Sequence, residues 1–207
     1  MGETNEMANL AGTTGAVGTG HVDRARVEAA VRELLAAIGE DPNREGLVGT
    51  PDRVARACEE LFGGIGQDPA AHLRKQFHEE SGGGIVVVRD IPFHSMCEHH
   101  LLPFVGVAHV AYLPREGRIT GLSKIARCVA GFAARPQVQE RLTAQVADAM
   151  VAELEPEGVL VVMEAEHTCM TMRGIRAAGA KTTTIATRGA FDADASLRAE
   201  ALSLLGQ

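Results

Sequence analysis

Apolar residues along the chain change period several times, and each change marks an element. Val27, Val31, Leu34, Leu35 and Ile38 fall at i, i+4, i+7, i+8 and i+11, the stripe of an amphipathic helix. Residues 39–49 are polar and turn-like. Thr50-Pro51 then supplies an N-cap and a first-turn proline for a second helix carrying Val54, Cys58 and Leu61, and Gly63-Gly64 ends it. In the middle of the chain the period shortens: residues 85–88 are β-branched and bounded by glycines, and residues 105–113 alternate as a strand does. Leu122, Ile125, Val129 and Phe132 then share one helical face. Val138, Leu142, Val146 and Met150 share another, with Pro136 opening that second helix. Residues 159–170 and the threonine-rich 181–191 read as strands, and a short helix over 197–205 closes the chain. Helices, two strands, two helices, two strands: this order predicts an α+β fold built on antiparallel hairpins, not alternating βαβ units. Residues 1–20, rich in Gly and Thr and without period, read as a disordered tail, and residues 21–82 as an N-terminal helical region.

Composition narrows the function classes. Twenty basic against twenty-seven acidic residues leave a net charge of −7, which excludes a broad basic surface for nucleic acid or an anionic membrane. With aromatic residues at only 3%, the core must be built from Val, Leu, Ile, Ala and Met. No apolar run approaches the roughly 20 residues of a membrane span, and the N-terminus lacks the pattern of a signal peptide. A soluble, cytoplasmic protein is expected. Four cysteines, at 58, 97, 128 and 169, are too few and too dispersed for a disulfide scaffold, so metal binding or burial is the better expectation. Cys58 and Cys128 lie at core spacing on helices.

Cys97 and His100, in Ser95-Met96-Cys97-Glu98-His99-His100, are spaced so that a thiolate and an imidazole can meet one ion from a tight turn or strand end. Sulfur and nitrogen ligands favour Zn²⁺ over Mg²⁺ or Ca²⁺. Taken alone the pair is weak. A second cluster adds to it, because His167 and Cys169 share strand parity and so one face. Cys97, His100 and Cys169 would form a three-ligand site with a fourth position for water, the pattern of catalytic zinc, with His99 and His167 beside it as acid–base groups. A closed site recruiting a further histidine is the alternative. Ser123, Lys124 and Arg127 at a helix start can reach one anion; the bland reading of the two cations is a solvated basic face.

Together, CEHH at 97–100, GLSKIAR at 121–127, RPQVQERL at 135–142 and HTCMTMRGI at 167–175 resemble GTP cyclohydrolase I. TPDRVA at 50–55 and KTTTIATRGAF at 181–191 are similar to the same family, so the likeness runs from about residue 22 to the C-terminus. The resemblance implies conversion of GTP and water to 7,8-dihydroneopterin triphosphate and formate, the entry step to folates and pterins. It implies a tunnelling fold over residues 83–207: a four-stranded antiparallel sheet with helices on one side and an N-terminal helical extension. It further implies a homodecamer of two stacked pentamers with active sites between subunits.

By the same resemblance, zinc is held by Cys97, His100 and Cys169, His167 protonates guanine N7, and His99 assists later proton transfers. Glu140 is placed to accept from N1–H and the 2-amino group of guanine, with Gln139 beside it. Ser123, Lys124, Arg127 and Arg173 are placed on the triphosphate, and Ser123 also assists the later rearrangement. Two other functions compete: a reductase of the same fold using a nucleophilic cysteine and NADPH, and a non-catalytic zinc-stabilised nucleotide sensor.

Overall fold

Strand β2 (Val86–Cys97) and strand β3 (Pro103–Leu113) form the hairpin on which the protein is organised, and residues 98–102 make its turn. The computed structural model describes residues 20–80 and 83–206, so the expected tail lies outside the described residues except for Gly20. β3 continues antiparallel to β6 (Gly158–His167), and β6 to β7 (Lys181–Gly189). A two-residue strand, β5 (Pro136–Gln137), pairs parallel to the end of β2 through Met96↔Pro136 and Cys97↔Gln137. The described sheet is therefore mixed, in the order β5-β2-β3-β6-β7, and not the purely antiparallel four-stranded sheet expected.

Pro136 opens no helix. Its fixed φ suits extended backbone as well as a helix start, and the edge of β2 offers it a pairing partner. The strand expected over residues 85–88 runs on to Cys97 because a bulge between Val88 and Ile91, with Asp90 at φ 57°, resets the register and hides the alternation. The bulge is tied down by His109, whose Nδ1 accepts from the Asp90 N–H at 3.2 Å.

Helices cover both faces of the sheet, where one covered face was expected. Helices α3 (Leu122–Ala133) and α4 (Gln139–Leu154) bury Ile125, Val129, Leu142, Val146 and Met150 against Ala108, Val110, Tyr112, Val161 and Met163. On the opposite face Phe191, in α6 (Ala190–Ala193), and Ala201 and Leu205, in α7 (Ala195–Leu205), pack on Ala111, Leu160 and Val162. Double coverage explains why residues 159–163 read as a continuous apolar run.

The chain before residue 83 divides in two. Helices α1 (Arg24–Ala37) and α2 (Thr50–Leu61) pack on each other, but α1 buries nothing, and Leu34 and Ile38 of its apolar stripe are 59% and 66% exposed. The pair is joined to the main body at Gly64, whose N–H donates to Ala134 O at 2.9 Å. A Cβ there would meet Gly131 O at 2.2 Å, so this approach requires glycine. Beyond it, a 3-10 turn (Pro69–Arg74) inserts Leu73 fully into the main core, and β1 (Gln76–His78) pairs with β4 (Arg118–Thr120).

α3 starts directly after β4, and β1 reaches the end of α4, where Gln76 Nε2 donates to Glu153 O at 2.5 Å. The end of α3 and the start of α4 are instead joined at the end of β2: Ser95 Oγ donates to Ala133 O at 2.7 Å. The helical layer thus has two ends, about 20 Å apart for helices of this length.

Candidate metal and active site

The end of the layer at β2 and β6 holds the candidate metal-ligating side chains. β2 terminates at Cys97, whose N–H donates to Leu102 O at 2.9 Å while its carbonyl accepts from Leu101 at 2.8 Å. This closed turn, with Leu101 at φ 50°, presents Glu98, His99 and His100. The neighbouring strand fixes it further, through the Glu98 N–H donating to Gln137 O at 3.0 Å. Arg141 of α4 grips the Glu98 carboxylate with two bonds of 2.6 and 2.9 Å, which hold that carboxyl below its ordinary range.

Cys169 arrives by a different route from the one expected. β6 ends at His167, opposite Phe104 and next to the β3-terminal Pro103, and residues 168–171 form a single helical turn, α5 (Thr168–Thr171). Thr168 Oγ1 donates to Pro103 O at 2.6 Å and anchors that turn. Strand parity therefore does not align Cys169 with His167; the helical turn carries it to Cys97 and His100. One ligand atom from each of these three residues lies within 4.8 Å of the others.

The donor set fits a zinc ion. Burial pushes the Cys169 thiol up, and the neighbouring Cys97 sulfur pushes it further, so the two thiolates need a shared cation. Two sulfurs and an imidazole are the ligands of a borderline-soft metal. No second histidine joins the group among the described residues, and His99 stands outside it, with Nδ1 3.9 Å from Cys97 Sγ. Arg173 also lies here, its Nη1 3.0 Å from His100 Nε2.

His167 is held on two sides. Its ring stacks on Phe104 with centroids 4.5 Å apart and planes 4° from parallel, and its Nε2 lies 2.7 Å from Gln139 Oε1. Burial lowers its pKa, against a smaller opposing effect of the Glu140 carboxylate. Gln139 and Glu140 open α4 side by side but differ completely. Gln139 is 1% exposed, whereas Glu140 is exposed and lines a cleft of about 440 Å³ with Thr184, Ile185 and Arg188.

Three of the four predicted anion-binding residues lie elsewhere. Ser123, Lys124 and Arg127 are on the first turns of α3, at the opposite end of the helical layer, and a single chain does not bring them to the metal ligands. No side-chain hydrogen bond or ion pair engages any of the three among the described residues, while Arg74, Arg118, Arg141, Arg188 and Lys181 are each paired with a carboxylate. The other two cysteines serve packing: Cys128 is fully buried, with its thiol pushed up to about 12 by burial, and Cys58 is half-buried. Sequence reasoning missed Arg141 and Phe104. Arg141 left a faint signal in standing beside Glu140; Phe104 left none.

The family model for GTP cyclohydrolase I matches residues 27–206. The chain belongs to the GTP cyclohydrolase I family. It is 61% identical over 185 residues to GTP cyclohydrolase 1 of Carboxydothermus hydrogenoformans, covering 89% of this chain and 96% of that one. The enzyme of the same name from Geobacillus kaustophilus is 60% identical over 89% of this chain and 97% of its own. That of Mycobacterium leprae (strain TN) is 61% identical, covering 88% and 89%. A solved structure of the apo archaeosine synthase QueF-Like covers 51% of this chain and 93% of its own at 18% identity and a TM-score of 0.43, too slight a likeness to bear on fold or function. No helix among the described residues is long and apolar enough to cross a membrane.

Proposed function

We propose that this member of the family is a zinc-dependent GTP cyclohydrolase that converts GTP and water to 7,8-dihydroneopterin triphosphate and formate. The observation that carries the reading is the convergence of Cys97, His100 and Cys169, with His167 at the end of β6, two residues before Cys169. Cys97, His100 and Cys169 hold the zinc, which when bound supplies Lewis-acid activation of water for attack at guanine C8.

The chain's own groups do the rest. His167 gives a proton to N7, which makes C8 electrophilic, and its depressed pKa makes it a ready donor once protonated. His99, its side chain 65% exposed at the mouth of the turn, handles the protons of ring opening and formate release. The Glu140 carboxylate accepts from N1–H and the 2-amino group of guanine, donors that adenine does not present there. Lys124, Arg127, Ser123 and Arg173 hold the triphosphate, and Ser123 assists the later ring closure.

Because the two sets of groups sit at opposite ends of the helical layer, one chain supplies only part of a site, and the anion-binding turn comes from a neighbouring subunit. Leu101, Met172 and Ile175, at 57%, 63% and 81% exposure, flank the metal ligands with the apolar surface such a neighbour would cover. The assembly that fits is the family's homodecamer of two stacked pentamers built on the tunnelling fold, in the cytoplasm, with neither nucleic acid nor membrane as partner. Incubation of the zinc-loaded oligomer with GTP, following formate and the fluorescent oxidised pterin, tests the reading. Both products should appear in equal amounts, and neither should appear after zinc is stripped. Zinc-loaded, assembled protein that yields neither product refutes it.

A further inference from the structure

The amide of Gln139 can be oriented from its surroundings. Its Nε2 lies 3.0 Å from Met163 O, 3.0 Å from Thr182 O and 3.1 Å from Thr184 Oγ1. Two of these are carbonyls, which only accept, so the side of the amide facing them is the NH₂. Reversing the amide would set its oxygen against both carbonyls in a buried site, with no hydrogen between the facing oxygens. Oε1 therefore faces His167. A carbonyl oxygen cannot donate, so His167 Nε2, 2.7 Å away, carries the hydrogen. In the neutral ring Nδ1 is then the lone-pair nitrogen, and no described residue makes a hydrogen bond to it.

The support extends beyond the pair. Thr143 Oγ1 donates to Gln139 O at 2.8 Å and lies 2.6 Å from Thr184 Oγ1, so α4, β6 and β7 are tied around one amide. Phe104 sets the plane of the imidazole from the other side.

We propose that Gln139 is a positioning residue for His167 and not a contact to the guanine: it holds the Nε2 hydrogen and leaves Nδ1 as the nitrogen that exchanges a proton with substrate. The proposal rests on the reading of His167 as the acid. Selection of the base then falls to Glu140 alone of the two, since its exposed carboxylate makes no hydrogen bond or ion pair among the described residues.

Full-length, zinc-loaded protein labelled with ¹⁵N-histidine provides the direct test, the His167 signals being identified by their loss in His167→Asn. Long-range ring couplings should give the Nε2–H tautomer; an Nδ1–H tautomer overturns the proposal. This measurement needs no substitution at Gln139 and decides the matter even where a variant fails to fold. In turnover, Gln139→Met should lower kcat by about 10- to 100-fold, the usual cost of losing an orienting partner. Its KM for GTP and its discrimination against ATP should stay as in the unsubstituted enzyme. A raised KM or relaxed base selection at intact kcat would make Gln139 a base contact and overturn the proposal. Undiminished turnover in His167→Ala would instead remove the acid reading itself, whichever tautomer the ring carries.

Discussion

The two ends of the helical layer solve opposite problems. At the start of α4 the buried polar groups around His167 are committed: an amide, two threonine hydroxyls and two strand carbonyls fix one imidazole. At the start of α3, the side chains of Ser123, Lys124 and Arg127 have no hydrogen-bond or ion-pair partner among the described residues. The contrast fits the work that the proposed function asks of each end. Proton transfer to one ring atom demands a fixed geometry. Holding a flexible polyanion demands charge that is not already neutralised, and long side chains can supply it without being pre-set.

The largest effect expected from breaking this comparison is at the committed end. His167→Ala should cut kcat by about 10²- to 10⁴-fold, the usual worth of a general acid, with zinc content and oligomer mass unchanged. Formate release and metal analysis on one preparation check it. Next comes Glu140→Gln. Hydrogen bonds to a charged group are worth about 1.5–3 kcal/mol, so kcat/KM for GTP should fall about 10- to 100-fold. Because Glu140 is exposed, the thermal midpoint should hardly move.

At the uncommitted end, Lys124→Ala and Arg127→Ala should each raise KM for GTP by about 10-fold at nearly constant kcat, and added salt should weaken the unsubstituted enzyme in the same sense. The smallest effect is expected for Arg141→Ala, since a solvent-exposed ion pair is screened and contributes little. Its sign with pH is fixed. Arg141 lowers the Glu98 carboxyl, so the stabilisation is present above the unfolded value of about 4.3 and is lost as pH falls through the lowered folded value. Acid-unfolding curves of the variant and the unsubstituted protein should separate at neutral pH and converge at the acid end.

Much of this was legible in the sequence, and the failures have physical causes. Helical periodicity located α1 to α4 because packing agreed with it; yet α1 shows the limit, since an apolar stripe says a face will be covered but not by which chain. Alternation failed where a bulge shifted the register of β2 and where Pro136 found a strand edge instead of a helix. The cluster that could hold a metal is legible as residue types, although the strand expected through Cys169 gives way to the helical turn α5. Gln139 was the hardest to read. In sequence it is a polar residue on the first turn of a helix, beside a glutamate. Only the fold, by placing two carbonyls against its nitrogen, turns it inward while Glu140 points out.

The claim that the two ends meet across subunits can be tested by mixing them. His167→Ala lacks the acid and Lys124→Ala lacks an anion ligand, and each homo-oligomer should be impaired in its own parameter. In oligomers co-assembled from equal amounts, a site that joins the His167 of a Lys124→Ala chain to the Lys124 of a His167→Ala chain is intact. About one quarter of the sites should be of this kind, with turnover at low GTP restored accordingly, if the parts come from neighbouring subunits of a symmetric assembly. Activity that never exceeds the sum of the two separate variants would mean that both residues act within one chain, and would contradict the account.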